Sequence, residues 1–294
     1  MKVIILYEFN TDIGHGHLMR SRSLYEFFLS NKIHVEIYDS SKFKFNDTKD
    51  KKVYILDFYN NDLFNSWIPT LKTNNIVVTL DYFDSNYNPD CNFSVLEQAT
   101  FKRNYLNFHG LEYLILRRDL QSSLNTSKNF NQILIYIGGN GHDDLVYDIV
   151  KNKIPSNYKC LLIRNGTSSL LNDLPSNIIQ YQSPANILEL MSNSYIAITS
   201  PGLMALELLF LEVPSILIPL NRFHEKFIQF MEKEDLFLEN LENIDTISQN
   251  LVNKVIEVSK CKISLSGPNK ILNIITEIYE GRMGIGSPLW RSSN

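Results

Sequence analysis

The sequence predicts an α/β protein made of two successive Rossmann-type domains, each built on a parallel sheet, and three observations carry that expectation. Short β-branched and leucine-rich runs alternate with segments long enough for crossover helices. One polar stretch without apolar periodicity, Gln121 to Asn131, breaks the alternation near the middle. On either side of it the chain opens on a strand that leads towards glycines. With 294 residues, 44% of them hydrophobic, the chain suffices for two cores of roughly 120 to 150 residues each, and two domains leave a cleft for a ligand.

Lys2 to Leu6 is a compact apolar run that reads as the first strand. Glu8 to Asp12 is polar, and from His17 onward Leu24, Phe27 and Phe28 fall at three- and four-residue spacing, which predicts a helix. His34 to Tyr38, Val53 to Asp57 and Ile76 to Leu80 are further strand-like runs, and Leu111 to Leu116 is one more short apolar run. Gln121 to Asn131 is then the interdomain linker. The pattern restarts with Ile133 to Ile137, ended by Gly138-Gly139, and Lys159 to Ile163, ended by Asn165-Gly166. Tyr195 to Thr199 and Ser215 to Leu220 follow with a helix between them, and Ile271 to Tyr279 is a last helix. The expected domains are therefore 1–124 and 132–280, with a tail at 281–294 whose order depends on Trp290 finding a packing partner.

A formal net charge of −4 offers no broad basic surface, which argues against a nucleic-acid partner. Lysines cluster in Lys42 to Lys52, but Asp47 and Asp50 interrupt them, as in a solvated loop. Cys91, Cys160 and Cys261 are far apart and lack any CxxC spacing, so they read as reduced cysteines rather than a disulfide or zinc framework. The amino terminus shows no signal-peptide pattern, and no apolar run approaches the roughly 18 residues that span a bilayer. A cytoplasmic protein without membrane insertion, a monomer or weak dimer, is the expectation.

The turn after the first strand carries Ile13-Gly14-His15-Gly16-His17. A tight turn with solvated histidines is one reading. The other is a ligand site, because such a loop lies at the carboxyl edge of a parallel sheet, glycine lets a ligand approach the backbone, and histidine is the usual general acid or base. His17 stands where the helix begins, and the positive end of the helix dipole disfavours imidazolium there, which suits a general base.

A second candidate lies in Thr199 to Glu207. Ser200 is a good N-cap, Pro201 suits the first helical position, and Gly202 lets a phosphate approach the free N–H groups of Leu203 and Met204. Glu207 can accept hydrogen bonds from two vicinal hydroxyls of a ribose; the alternative is a capped helix with Glu207 on its solvent face. Gly138-Gly139-Asn140-Gly141 is a third turn of the same type. A dinucleotide fingerprint starting at Gly14 fails, because Met19 occupies the place of the third glycine and the glycines come late after the strand.

Together these residues resemble a known family. Gly14-x-Gly16-His17-x-x-Arg20 looks like the G-x-G-H-x-x-R signature of UDP-2,4-diacetamido-2,4,6-trideoxy-β-L-altropyranose hydrolases, the nucleotide-sugar hydrolases of pseudaminic acid biosynthesis. Asp57-Phe58-Tyr59 resembles that family's D-H-Y, Tyr113 to Arg117 its Y-x-L-R stretch, and Gly138-Gly139 its G-G turn. Ser200 to Glu207 resembles the segment ending in its nucleotide-binding glutamate, and Asn221-Arg222 stands where the family has N-Q. The resemblance implies a two-domain GT-B fold shared with MurG-like glycosyltransferases, and hydrolysis of a UDP-sugar without metal or cofactor. It makes His17 the general base, with the nucleotide on the carboxy-terminal domain. Asp57 or Tyr59 would orient sugar and water, and Arg20 would contribute positive charge towards the leaving diphosphate.

The sequence departs from the family at Phe58, at Tyr82 after Asp81, at Gly141 and at Ser266 before Gly267, positions expected to border the sugar or the cleft. The rival expectation is a GT-B glycosyltransferase, whose acceptor would need an exposed groove in the first domain. Phe43 and Phe45 in the lysine loop are the candidates for it. A third is a nucleotide-sugar-binding protein without catalysis. Among the other histidines, His142 stands out because it follows the glycine turn.

Overall fold

The computed structural model describes residues 1–9, 16–46, 49–82, 86–96, 104–124, 128–138, 142–164, 170–234 and 263–284. The chain folds as two compact units: the first runs through Arg117 and takes the chain back from Ser264, and the second spans Arg118–Ile263.

The first unit holds β1 (Lys2–Tyr7), α1 (Gly16–Ser30), β2 (His34–Asp39), β3 (Val53–Asp57), α2 (Asn61–Leu71), β4 (Ile76–Leu80), β5 (Cys91–Ser94) and β6 (Leu106–His109). Its six-stranded sheet has the order β2-β1-β3-β4-β5-β6, and every pairing is parallel. All five residues of β3 and of β4 are buried, which is why these strands read as unbroken apolar runs. α1 buries Leu24 and Phe28 on one face of the sheet, and α2 buries Phe64, Ile68 and Leu71 in a second apolar cluster.

β5 and β6 carry too many polar residues to read as strands. Their burial is made tolerable by a ladder of side-chain hydrogen bonds between register partners: Thr79 Oγ1 donates to Asn92 Oδ1 at 2.8 Å, and Asn92 Nδ2 donates to Asn107 Oδ1 at 2.8 Å. The run Leu111 to Leu116 is a 3₁₀ turn, Leu111–Tyr113, followed by three buried leucine and isoleucine side chains rather than a strand.

The second unit holds β7 (Asn129–Tyr136), α3 (Asp143–Asp148), β8 (Lys159–Arg164), β9 (Ile178–Gln182), α4 (Ile187–Ser192), β10 (Ser194–Thr199), α5 (Leu203–Phe210), β11 (Ser215–Leu217) and α6 (Arg222–Lys233). Its five-stranded sheet, order β11-β10-β7-β8-β9, is again parallel throughout. β9 is a half-exposed edge strand whose polar residues hid it from the apolar pattern. The expected linker does not survive: β7 already starts at Asn129, and the unit boundary falls at Arg117, before the 3₁₀ turn Arg118–Ser123.

The expected boundary at 280 is also corrected. The last helix, α7 (Gly267–Tyr279), belongs to the first unit, where Ile271, Leu272, Ile275 and Ile278 pack with Val3, Leu24, Phe28 and Ile115. Gly267 makes that return possible: a Cβ there would lie 2.0 Å from the Leu114 carbonyl oxygen. Cys91 and Cys160 are buried free thiols, which burial pushes up, to about 12 for Cys160. Cys261 and the tail residue Trp290 lie outside the described residues. Among the described residues no helix is long and apolar enough to cross a membrane.

Candidate active site

Parallel pairing sets Tyr7, Asp57 and Leu80 level, so the carboxyl ends of β1, β3 and β4 form one edge. Asp57 is the last residue of β3, and Asp81 follows β4 directly. α1 starts at Gly16 and brings His17, Arg20 and Ser21 to these carboxylates.

His17 Nδ1 lies 2.6 Å from Asp57 Oδ1. Arg20 donates through Nε to Asp57 Oδ2 at 3.1 Å, through Nη2 to Asp57 Oδ1, and through Nη1 to Asp81 Oδ2. Ser21 Oγ donates to Asp57 Oδ2 at 2.8 Å. Asp57 is fully buried, while the His17 side chain keeps 19% of its surface exposed. Burial alone would raise the Asp57 carboxyl, but the charges of Arg20 and His17 and their hydrogen bonds hold it well below the usual carboxylate range. Burial likewise opposes the Arg20 charge, and the two aspartates outweigh it, so the guanidinium is held more firmly protonated than usual.

An ionised Asp57 therefore accepts from Nδ1–H and fixes the imidazole tautomer with Nε2 as the acceptor nitrogen. That is the form that takes a proton from a water or hydroxyl. Tyr59 sits beside it: its ring is edge-on to His17 at 6.3 Å and 65% exposed. Glu8 pins the loop, accepting from the backbone N–H groups of Tyr59 and Asn60 at 2.8 and 2.9 Å.

The structure thus gathers His17, Asp57, Tyr59 and Arg20, and adds Asp81 and Ser21. A carboxylate directly after a parallel strand was a usable signal for Asp81; nothing in the sequence marked Ser21. Arg20, expected to face the diphosphate, instead spends its fork on Asp57 and Asp81. Gly16 is the first residue of α1, without positive φ and with open space where a Cβ would stand; Gly14 and His15 lie outside the described residues.

The departures from the family pattern turn inward. Phe58 is 1% exposed and packs on Phe64 at 5.0 Å; Tyr82 is fully buried and packs on the same ring at 5.1 Å. Gly267 meets Leu114, as described, and Gly141 lies outside the described residues. The expectation that Phe58 and Tyr82 border the sugar or the cleft is corrected accordingly, whereas Ser266 stays half-buried, its Oγ accepting from Ser264 Oγ at 2.9 Å. Phe43 and Phe45 also pack inward, Phe43 on Tyr54 and Trp67 at 6.3 and 5.8 Å and Phe45 on Tyr54 at 6.2 Å.

In the second unit Tyr136, Ile163, Thr199 and Leu217 are level at the carboxyl edge. Ser200, expected as the N-cap of α5, does not cap it: its Oγ accepts from Gly138 N–H at 3.2 Å and ties the loops after β7 and β10 together. Gly202 takes the N-cap place, with φ 152° and ψ −159° and no side-chain cap, a backbone that L side chains rarely adopt. The helix therefore begins with the N–H groups of Leu203 and Met204, two residues later than a Ser200 cap with Pro201 at the first helical position would have it. Glu207 is only 5% exposed and not on a solvent face; its charge, after burial, raises the Tyr136 phenol at the end of β7.

Asn221 caps α6, accepting from the N–H groups of Phe223 and His224 at 3.0 Å each, so its carbonyl is already engaged. His224 Nδ1 accepts from Leu220 N–H at 3.1 Å, and burial and nearby His142 push its pKa down. Arg164, unremarked in the sequence, ends β8 at 8% exposure, paired with Asp143; its Nε is buried without a hydrogen-bond partner among the described residues. Gly139 lies outside the described residues.

No protein-family model and no curated protein matches this sequence. Solved structures do match in fold. UDP-GlcNAc 2-epimerase from Neisseria meningitidis, bound to UDP-GlcNAc, gives a TM-score of 0.58 at 11% identity over 95% of this chain and 100% of its own. Spinosyn rhamnosyltransferase SpnG gives 0.55 at 11% identity over 94% and 96%. The calicheamicin glycosyltransferase CalG4 gives 0.53 at 10% identity over 96% and 99%. At these identities the likeness is one of fold: two parallel-sheet α/β units of the GT-B class.

Proposed function

We propose that this chain is a nucleotide-sugar hydrolase that cleaves the sugar–phosphate bond of a UDP-sugar. The carrying observation is the His17 imidazole held at Nδ1 by a buried, ionised Asp57. Water gives a proton to His17 Nε2 as its oxygen attacks the anomeric carbon; the bond to the diphosphate oxygen breaks and its electron pair leaves with UDP. Such base catalysis is typically worth about 10²- to 10⁴-fold. Tyr59 orients the sugar and water.

The nucleotide is assigned to the second unit. There the N–H groups at the start of α5 stabilise the leaving phosphate without a metal, and Gly138, Ser200 and Gly202 shape the approach. Buried Glu207 takes the ribose hydroxyls, and Asn221 holds α6. Fold likeness to a UDP-GlcNAc 2-epimerase and to glycosyltransferases supports a nucleotide-sugar substrate. The short motifs that resemble the pseudaminic acid pathway hydrolases support a 2,4-diacetamido-2,4,6-trideoxyhexose as the sugar, and a cytoplasmic place.

The second reading is glycosyl transfer, favoured by the rhamnosyltransferase and CalG4 likenesses. Hydrolysis is preferred because Phe43 and Phe45, the candidate acceptor groove, are partly buried and packed against the core of the first unit. A panel of UDP-sugars incubated with and without alcohol and lipid-linked acceptors separates the two. Hydrolysis predicts UDP and free sugar at equal rates in both arms, unaffected by EDTA. UDP release only in the presence of an acceptor overturns it.

A further inference from the structure

Resting on His17 as the base, we propose that Arg20 and Asp81 are positioning residues for it and not ligands of the diphosphate. Asp57 has each oxygen doubly occupied, Oδ1 by His17 Nδ1 and Arg20 Nη2, Oδ2 by Arg20 Nε and Ser21 Oγ. Two partners per oxygen leave the carboxylate no rotation that keeps its bonds, so the ring facing it is fixed too. Arg20 makes two of those four bonds, and Asp81 holds the remaining end of its fork. A planar guanidinium clamped at both ends cannot tilt without losing a bond to Asp57.

The charges agree. One arginine facing two aspartates sums to −1, a neighbourhood that repels a diphosphate instead of drawing it. Arg20 is also 15% exposed, whereas a phosphate ligand needs its donors free. Asp81 holds its place in a left-handed backbone, φ 54°, a conformation that few L residues other than Asp and Asn adopt. Its N–H bond to the Phe93 carbonyl at 2.8 Å anchors it there. Asparagine tolerates that backbone, so Asp81→Asn removes the charge and keeps the shape.

Among the described residues, the charged and titratable groups around the imidazole are Asp57 from β3, Arg20 from α1, Tyr59 from the loop after β3, Asp81 behind Arg20, and Glu8, which holds the Tyr59 N–H. Removing the Asp81 charge leaves the Arg20 cation less balanced near the ring and disfavours imidazolium. Removing the Arg20 charge does the opposite. The acid limb of kcat/KM therefore moves to lower pH in Asp81→Asn and to higher pH in Arg20→Gln, by about half a unit each.

Nitrogen-15 NMR of the His17 ring tests this on the protein alone, and steady-state kinetics on the UDP-sugar tests it in turnover. In the wild type a single Nδ1–H tautomer is expected. Asp81→Asn should mix in the other tautomer and lower kcat about tenfold with KM unchanged. Arg20→Gln shifts the pH limb as stated; should that variant not fold, Asp81→Asn carries the test. An Asp81→Asn protein with the wild-type tautomer, kcat and pH profile overturns the proposal, as does a raised KM at unchanged kcat, the mark of a substrate ligand. A wild type that releases no UDP from any UDP-sugar, with the tautomer still dependent on Asp81, overturns the hydrolase and upholds the positioning.

Discussion

The carboxyl edges of the two sheets, both parallel throughout but different in strand order, carry different chemistry. In the first unit the edge is charged and saturated: His17, Arg20 and Ser21 converge on the buried Asp57 carboxylate, and Asp81 holds the other end of Arg20. In the second, the loops after β7 and β10 meet through a neutral bond from Gly138 N–H to Ser200, and α5 begins on an uncapped glycine. Its charges are the buried Glu207 on α5 and the buried Arg164 at the end of β8, the latter paired with the half-exposed Asp143 of α3. A charged lattice that cannot move suits a group that must hold and pass a proton at a fixed point. Unspent backbone donors suit an anion. Under the proposed function, one edge serves proton transfer and the other binding.

Replacing Asp57 is the most severe way to break the comparison. Asp57→Asn leaves the largely buried Arg20 with Asp81 as its one remaining carboxylate among the described residues, which is expected to cost about 3–5 kcal/mol in chemical denaturation. It also removes the group that sets the His17 tautomer, with a loss in kcat of about 10³- to 10⁴-fold. A variant as stable and active as the wild type would show that the lattice is incidental.

Acid separates the two edges more gently. The folded Asp57 carboxyl lies below its unfolded value, so its stabilisation is complete above that value, about 4, and is lost only as pH falls below it. His224, also depressed when folded, must take up a proton to unfold, so stability is lost earlier, as pH falls through its unfolded value of about 6.5. Hydrogen exchange between pH 7.5 and 5 should therefore loosen the segments around α6 while β3 and α1 stay protected. Equal loosening of both would remove the contrast.

How much of this was legible follows from what each residue packs against. β3 and β4 are buried on both faces and show as apolar runs, and α1 shows through Leu24 and Phe28. β5 and β6 do not, because Asn92 and Asn107 satisfy one another across strands, a pairing that exists only once the sheet is formed. α7 is visibly amphipathic, but its apolar stripe does not say which core will cover it. His17 and Asp57 stand out by residue type and position. The misreadings came from side chains with two plausible directions: Arg20 turned to carboxylates, Phe58 and Tyr82 turned to Phe64, and Ser200 turned from its own helix to Gly138.

The central claim is that proton transfer belongs to the first unit and nucleotide binding to the second. His17→Ala tests it most directly, with UDP release from the UDP-sugar and UDP affinity by calorimetry measured on one preparation. The expected result is turnover reduced by about 10²-fold or more with UDP affinity within about twofold of the wild type. Near-normal turnover, or an affinity for UDP that falls together with the rate, would contradict it.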